Sequence, residues 1–164
     1  MILASHIIVS GLLGATTQNY FLAAVFGFTS HYILDAIPHW DYLSDEFELR
    51  TKTEKDFIKN KKFWRELINV ALDILIGLGL LFIFLKYYKN PQIIPAIIGI
   101  SFGVLPDPLG LLYWITKWKF IKWNFDLQEF AHYLIDLKTG QKFWLGTIIQ
   151  TATIGIVFLI LYKF

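Results

Sequence analysis

Phe28-Thr29-Ser30-His31-Tyr32-Ile33-Leu34-Asp35-Ala36-Ile37-Pro38-His39-Trp40-Asp41-Tyr42 is the stretch from which the rest of this chain can be read. On a helix, His31 and Asp35 stand one turn apart on the same face, about 6 Å along the axis. Pro38 carries no amide hydrogen and biases Ile37 away from helical geometry, so the helix is expected to stop there. His39 and Asp41 then fall in the turn just beyond. Neutral imidazoles and carboxylates are ordinary ligands of divalent metals, with bonds of about 2 Å. The C-terminal end of a helix also carries the negative pole that suits a cation. A lone histidine in an apolar helix is more often a hydrogen-bonded core residue. Here two histidines and two aspartates fall within residues 31–41, flanked by Ile, Leu, Phe and Trp, and that density favours a metal role.

Working outward, the surroundings are those of a membrane protein. The 164 residues are 55% hydrophobic and 18% aromatic, with a mean hydropathy of +0.51. Several runs approach the ~20 apolar residues of a spanning helix. Residues 67–85 carry one charge, Asp73, and residues 143–162 carry none. Residues 20–37 hold only His31 and Asp35 as ionisable groups of this kind, and residues 93–115 only Asp107. The expectation is an all-α, polytopic helical membrane bundle forming a single domain, 1–164. It has about four to five spanning or near-spanning helices plus short interfacial ones. The apolar start, 2–15, lacks the basic segment of a secretory signal and reads as a true helix, short for a full span. With no cysteine, disulfides, thiolate zinc sites and cysteine nucleophiles are excluded. A net charge of +2 gives no case for nucleic acid.

The remaining polar residues are ordered by topology. Lys and Arg concentrate in 42–65 and 117–142, which places both segments on the cytoplasmic side. His6, His31, Asp35, His39, Asp41 and His132 then lie toward one membrane face. Asp73 sits within its apolar helix, where a carboxylate is costly and usually faces the bundle interior. Asp107 lies in Leu105-Pro106-Asp107-Pro108, where two prolines are expected to break the returning helix. Lys117–Asn124 mixes Trp with Lys, as at a headgroup interface. His132 and Asp136 repeat the His-Tyr-x-x-Asp spacing of His31 and Asp35, and Glu129-x-x-His132 is half of a di-iron carboxylate pattern that needs two such units.

His31-Tyr32, Asp35, Pro38 and His39 together resemble the signature of zinc-dependent bacterial phospholipase C. That resemblance implies zinc ligation by His31, Asp35 and His39, although the gap from Asp35 to Pro38 is one residue shorter here. Taken over most of its length, the chain is similar to the membrane-bound metal-dependent hydrolases of bacteria and archaea. The matching residues are His6, Ser30-His31, Asp35, Pro38-His39, Asp41 and Leu105-Pro106-Asp107. The reading is therefore an inner-membrane hydrolase, its site facing the cytoplasm and able to hold two or three ions. His6, His31, Asp35, His39, Asp107 and His132 are the metal ligands, and Asp41 and Asp73 the proton-accepting catalytic groups. Asp107 stays open between ligand and general base. Zinc is the first choice of cofactor, with manganese or iron also fitting. The substrate would be an ester or phosphodiester of a lipid or lipid-linked molecule. The alternatives are an ion or small-solute transporter using intramembrane carboxylates, and a metal-stabilised membrane scaffold. Oligomeric state is left open.

Overall fold

The computed structural model describes residues 3–39, 61–133 and 142–162. Among these the regular structure is all helical: α1 (Leu3–Ala15), α2 (Tyr20–Asp35), α3 (Lys61–Leu85), α4 (Ile93–Val104), α5 (Pro106–Thr116), α6 (Lys122–Tyr133) and α7 (Lys142–Leu161). A short 3₁₀ turn, Lys119–Ile121, leads into α6.

Local signals set the helix ends. The Asn19 side chain accepts the amides of Phe21 and Leu22 at the start of α2, satisfying two of the donors a helix N-terminus leaves free. At the other end Ala36 closes the helix two residues before Pro38. The proline pair at 106 and 108 does not break the chain into irregular backbone. Leu105 keeps right-handed helical angles, and its amide still bonds the Ser101 carbonyl at 3.2 Å. The reason is positional: Pro106 opens α5, and first-turn amides have no intrahelical acceptor to lose. Asp107 occupies that same first turn, where the helix dipole favours a carboxylate.

Helix α1 is the axis of the molecule. Twelve of its thirteen residues are buried, with Leu13 the exception. A helix apolar all round is stable only when covered all round, and α2, α3, α4 and α7 supply the cover. Small residues bring the backbones together. Gly14 lies against the Pro95 carbonyl, and a Cβ on Gly27 would collide with the Gly99 backbone. Gly77 of α3 meets Ala4, while Leu81, one turn on, meets Gly11, so α3 runs parallel to α1. Phe158 of α7 packs on Phe84 and Tyr88 near the end of α3. The α4 start joins the end of α1 through Gln92 N–H to the Ala15 carbonyl, 3.0 Å.

Among the described residues, three helical segments are long and apolar enough to cross a membrane: Trp64–Leu85, Ile93–Tyr113 and Phe143–Leu161. The middle one includes the proline junction, where α4 ends at Val104 and α5 begins at Pro106. Their outer surfaces are apolar, with Leu75, Ile76, Phe82, Ile97, Ile148 and Leu159 all exposed. A water-soluble monomer rarely shows such a surface, whereas lipid accepts it. The expected four to five spans are thus three of full length. With 13 and 16 residues, α1 and α2 fall short of a full span, and protein rather than lipid covers α1.

Candidate metal centre

Three helices deliver polar groups to one level of this bundle. Counting helical rise from the end that holds residues 16–19 and Pro91, His6 lies about 14 Å in, His31 about 17 Å and Gly103 about 15 Å. His6 and His31 are buried, 1% and 0% exposed, and their rings stack with centroids 4.3 Å apart. Asp35 lies between them. One carboxylate oxygen is 3.2 Å from His6 Nε2, and the other is 3.1 Å from His31 Nε2. The i, i+4 spacing read in the sequence is what aims Asp35 at its own helix neighbour.

The far nitrogen of His31 is what gives the cluster its chemical meaning. His31 Nδ1 lies 2.8 Å from the Gly103 carbonyl oxygen, an acceptor, so the Nδ1 proton is assigned there from the hydrogen-bond network. Gly103 can accept because it lies in the last turn of α4, where carbonyls lack intrahelical donors. In the neutral ring, Nε2 then carries a lone pair. That lone pair faces Asp35 Oδ2 and, at 3.4 Å, Asp107 Oδ1. Lone pairs converging in a buried setting suit a cation. A backbone carbonyl holding the remote N–H of a histidine is also the usual support of a metal-ligating imidazole. His6 Nδ1, by contrast, is buried without a hydrogen-bond partner among the described residues.

The spacing fits an ion. Metal–ligand bonds of about 2.0–2.1 Å around a tetrahedron separate neighbouring donor atoms by about 3.3 Å. The His–Asp pairs here measure 3.1–3.4 Å. His6, His31 and Asp35 each offer one donor atom, all within 4.8 Å of one another, and this group can hold a metal ion. Asp107 stands at the edge, its side chain 47% exposed, so the centre opens on that side.

Around it lies a set of polar groups that the sequence reading did not single out. Gln128 of α6 reaches in, its amide nitrogen 3.1 Å from Asp107 Oδ1 and 3.3 Å from His31 Nε2. Fully buried Asn124 donates to the Pro106 carbonyl at 3.0 Å and accepts from Tyr32 Oη at 2.7 Å. Asn124 thus pins α6 to both α2 and the proline junction. The only sequence signal was spacing: Asn124 and Gln128 are i, i+4 on a short amphipathic helix.

The other expected site residues are placed differently. His39 Nδ1 bonds the Ile37 carbonyl in its own turn, 2.7 Å away, and His39 is outside the His6–His31–Asp35 group. Asp73 accepts the Ala4 amide at 2.9 Å and so anchors the first turn of α1. Asp41 and Asp136 lie outside the described residues, as does the His132 side chain, although the His132 backbone is helical within α6. Glu129 is on the exposed surface of α6.

The described residues form a helical protein with three helices apolar and long enough to cross a membrane and a buried His/Asp group able to hold a metal. No known protein family, curated protein or solved structure matches the chain.

Proposed function

We propose that this chain is a membrane-embedded, metal-dependent hydrolase acting on an ester or phosphodiester of a lipid or lipid-linked substrate. The observation that carries the reading is the His31 arrangement: Nδ1 committed to Gly103 and Nε2 directed at two carboxylates. Resemblance to the membrane-bound metal-dependent hydrolases supports the same reading through His6, His31, Asp35 and the Leu105-Pro106-Asp107 motif.

In this proposal α1 and α2 are embedded beside the three full-length spans, giving a bundle of near-spanning and spanning helices. The Lys/Arg-rich segments lie in the cytoplasm at the inner membrane. His6, His31 and Asp35 hold the ion. For these three ligands zinc is the simplest occupant, and manganese or iron(II) fit when further oxygens join. A bound divalent ion would supply a water whose pKa falls toward neutrality. Asp107, half exposed beside His31, is the carboxylate positioned to receive that water's proton. Substrate enters on the Asp107 side, where the chain runs on toward Lys117, Lys119 and Lys122, cations suited to a phosphate headgroup.

Elemental analysis of detergent-purified protein tests the metal, and hydrolysis of phospholipid and lipid-ester panels tests the chemistry. A stoichiometric divalent metal that is lost in Asp35→Ala is the expected result. Metal-free protein after purification in metal-supplemented buffer would end the reading. A transporter would instead show Asp107-dependent ion flux in proteoliposomes with no turnover of any lipid.

A further inference from the structure

Gln128 carries its terminal amide into the open edge of the His/Asp group. Its terminal amide, His31 Nε2 and Asp107 Oδ1 form a triangle with edges of 3.1, 3.3 and 3.4 Å. Those edges are similar to the 3.1 and 3.2 Å separations within the His–Asp pairs, and they place the Gln128 amide directly beside His31, one member of the metal-capable group. In the ion-free arrangement its two N–H groups have two acceptors, and the positive end of the amide dipole rests where a cation would be. An ion placed there would take the His31 lone pair, and its bound water would donate to Asp107 in place of the amide. The amide nitrogen then has nothing to donate to, and rotation about the last side-chain torsion, which is soft, turns the oxygen inward. The bond given up in that rotation is the long one, Asn124 Nδ2 to Gln128 Oε1 at 3.4 Å. Asn124 keeps its shorter bonds to Pro106 and Tyr32, so α6 stays docked while the amide turns.

We propose that Gln128 ligates the ion through its amide oxygen and selects a six-coordinate, oxygen-preferring ion of the manganese and iron(II) class over tetrahedral zinc. The inference rests on the metal reading above. Its chemistry is a count of donors. His6, His31, Asp35 and Gln128 would offer four donors and a bound water beside Asp107 a fifth, one more than a tetrahedral site uses, and three of the five are oxygens. Carboxylate and carbonyl oxygens favour manganese-like ions, while two imidazoles and one carboxylate alone suit zinc equally well.

The test compares Mn²⁺ and Zn²⁺ affinity of the detergent-purified full chain by competition with a chromogenic chelator. Gln128→Met keeps the length of the side chain and removes the amide. It should weaken Mn²⁺ by about 10–100-fold, the range over which loss of one supporting polar group acts at metal sites, and change Zn²⁺ by less than about threefold. Gln128→Glu, which restores an oxygen, should recover Mn²⁺ binding. Unchanged Mn²⁺ affinity in Gln128→Met overturns the proposal. So does a parallel loss of both ions, which means that Gln128 only holds α6 in place, and so does a wild type that binds zinc and no manganese. If His31→Ala binds both ions as wild type does, the metal reading itself has failed and not merely the role of Gln128. Circular dichroism of each variant checks that helix content is retained.

Discussion

Asp73 accepts the Ala4 amide across 2.9 Å, which makes Asp73→Ala and Asp73→Asn a matched pair of probes. Two roles are at stake for this nearly buried carboxylate, 9% exposed within an apolar helix. As a proton acceptor in hydrolysis, it would be needed for turnover and not for the fold. As an anchor for α1, it is needed for the fold, because it satisfies a free amide at the helix N-terminus and fixes the start of a helix whose fourth residue is His6. A hydrogen bond to a charged group contributes about 1.5–3 kcal/mol, and the helix dipole is part of that figure. Asp73→Ala should therefore lower stability by about that much, roughly a 10- to 150-fold shift in the unfolding equilibrium. Asp73→Asn keeps a neutral acceptor and should lose about half as much. Thermal unfolding in detergent, followed by tryptophan fluorescence, reads the stability. Metal content and lipid hydrolysis are read on the same samples. The refuting result is an Asp73→Asn protein with wild-type melting and full metal content but no turnover, which would make Asp73 a base and not an anchor.

Other outcomes follow from the same geometry. His31→Ala and Asp35→Ala should each strip most of the bound metal, while Lys122→Ala, which breaks an exposed ion pair with Asp126, should leave it unchanged; elemental analysis decides. Asp107→Asn keeps an oxygen at the mouth of the site but not its basicity, so metal should remain while hydrolysis falls by about 10²–10⁴-fold. Gly27→Leu should prevent α2 and α4 from meeting, because even a Cβ there collides with the Gly99 backbone; gel filtration should show aggregation where Gly155→Leu, whose Cβ meets nothing, stays monodisperse. Asn124→Leu leaves the Tyr32 hydroxyl and the Pro106 carbonyl without their partner and should cost about 1–3 kcal/mol in thermal unfolding.

What could be read from the residues was local. Pro38 announced the end of α2, and the spacing of His31 and Asp35 put them on one face before any packing was known. His6 was tied to them by topology, since a histidine near the start of the first helix and one near the end of the second must share a level when the two are antiparallel. The proline junction does divide the returning helix at Leu105, but without irregular backbone, because Pro-Asp-Pro suits a first helical turn, where missing amides cost nothing. Gln128, Asn124 and the Gly103 carbonyl were not legible, because each acts through a partner 18 to 97 residues away in sequence. Asp73 shows the same limit. A carboxylate in an apolar helix advertises that it has a partner, but nothing in the sequence says that the partner is a backbone amide of α1.

The enclosure of α1 sets an order of assembly. This helix leaves the ribosome before every element that covers it, and the contacts that define its place come from far downstream, with Asp73 lying 69 residues beyond Ala4. Lipid can hold α1 in the meantime, but it offers no partner that would fix which way Ser5, His6 and Ser10 face. Rotation is set only when Gly77, Gly99 and Gly103 close on it, and only then does His6 turn toward Asp35. The His6–His31–Asp35 group, able to hold a metal, is therefore completed late in biogenesis. A nascent chain stopped before α4 carries His6, His31 and Asp35 yet has no Gly103 carbonyl to orient the second imidazole, so ion capture is postponed until the bundle around α1 has formed.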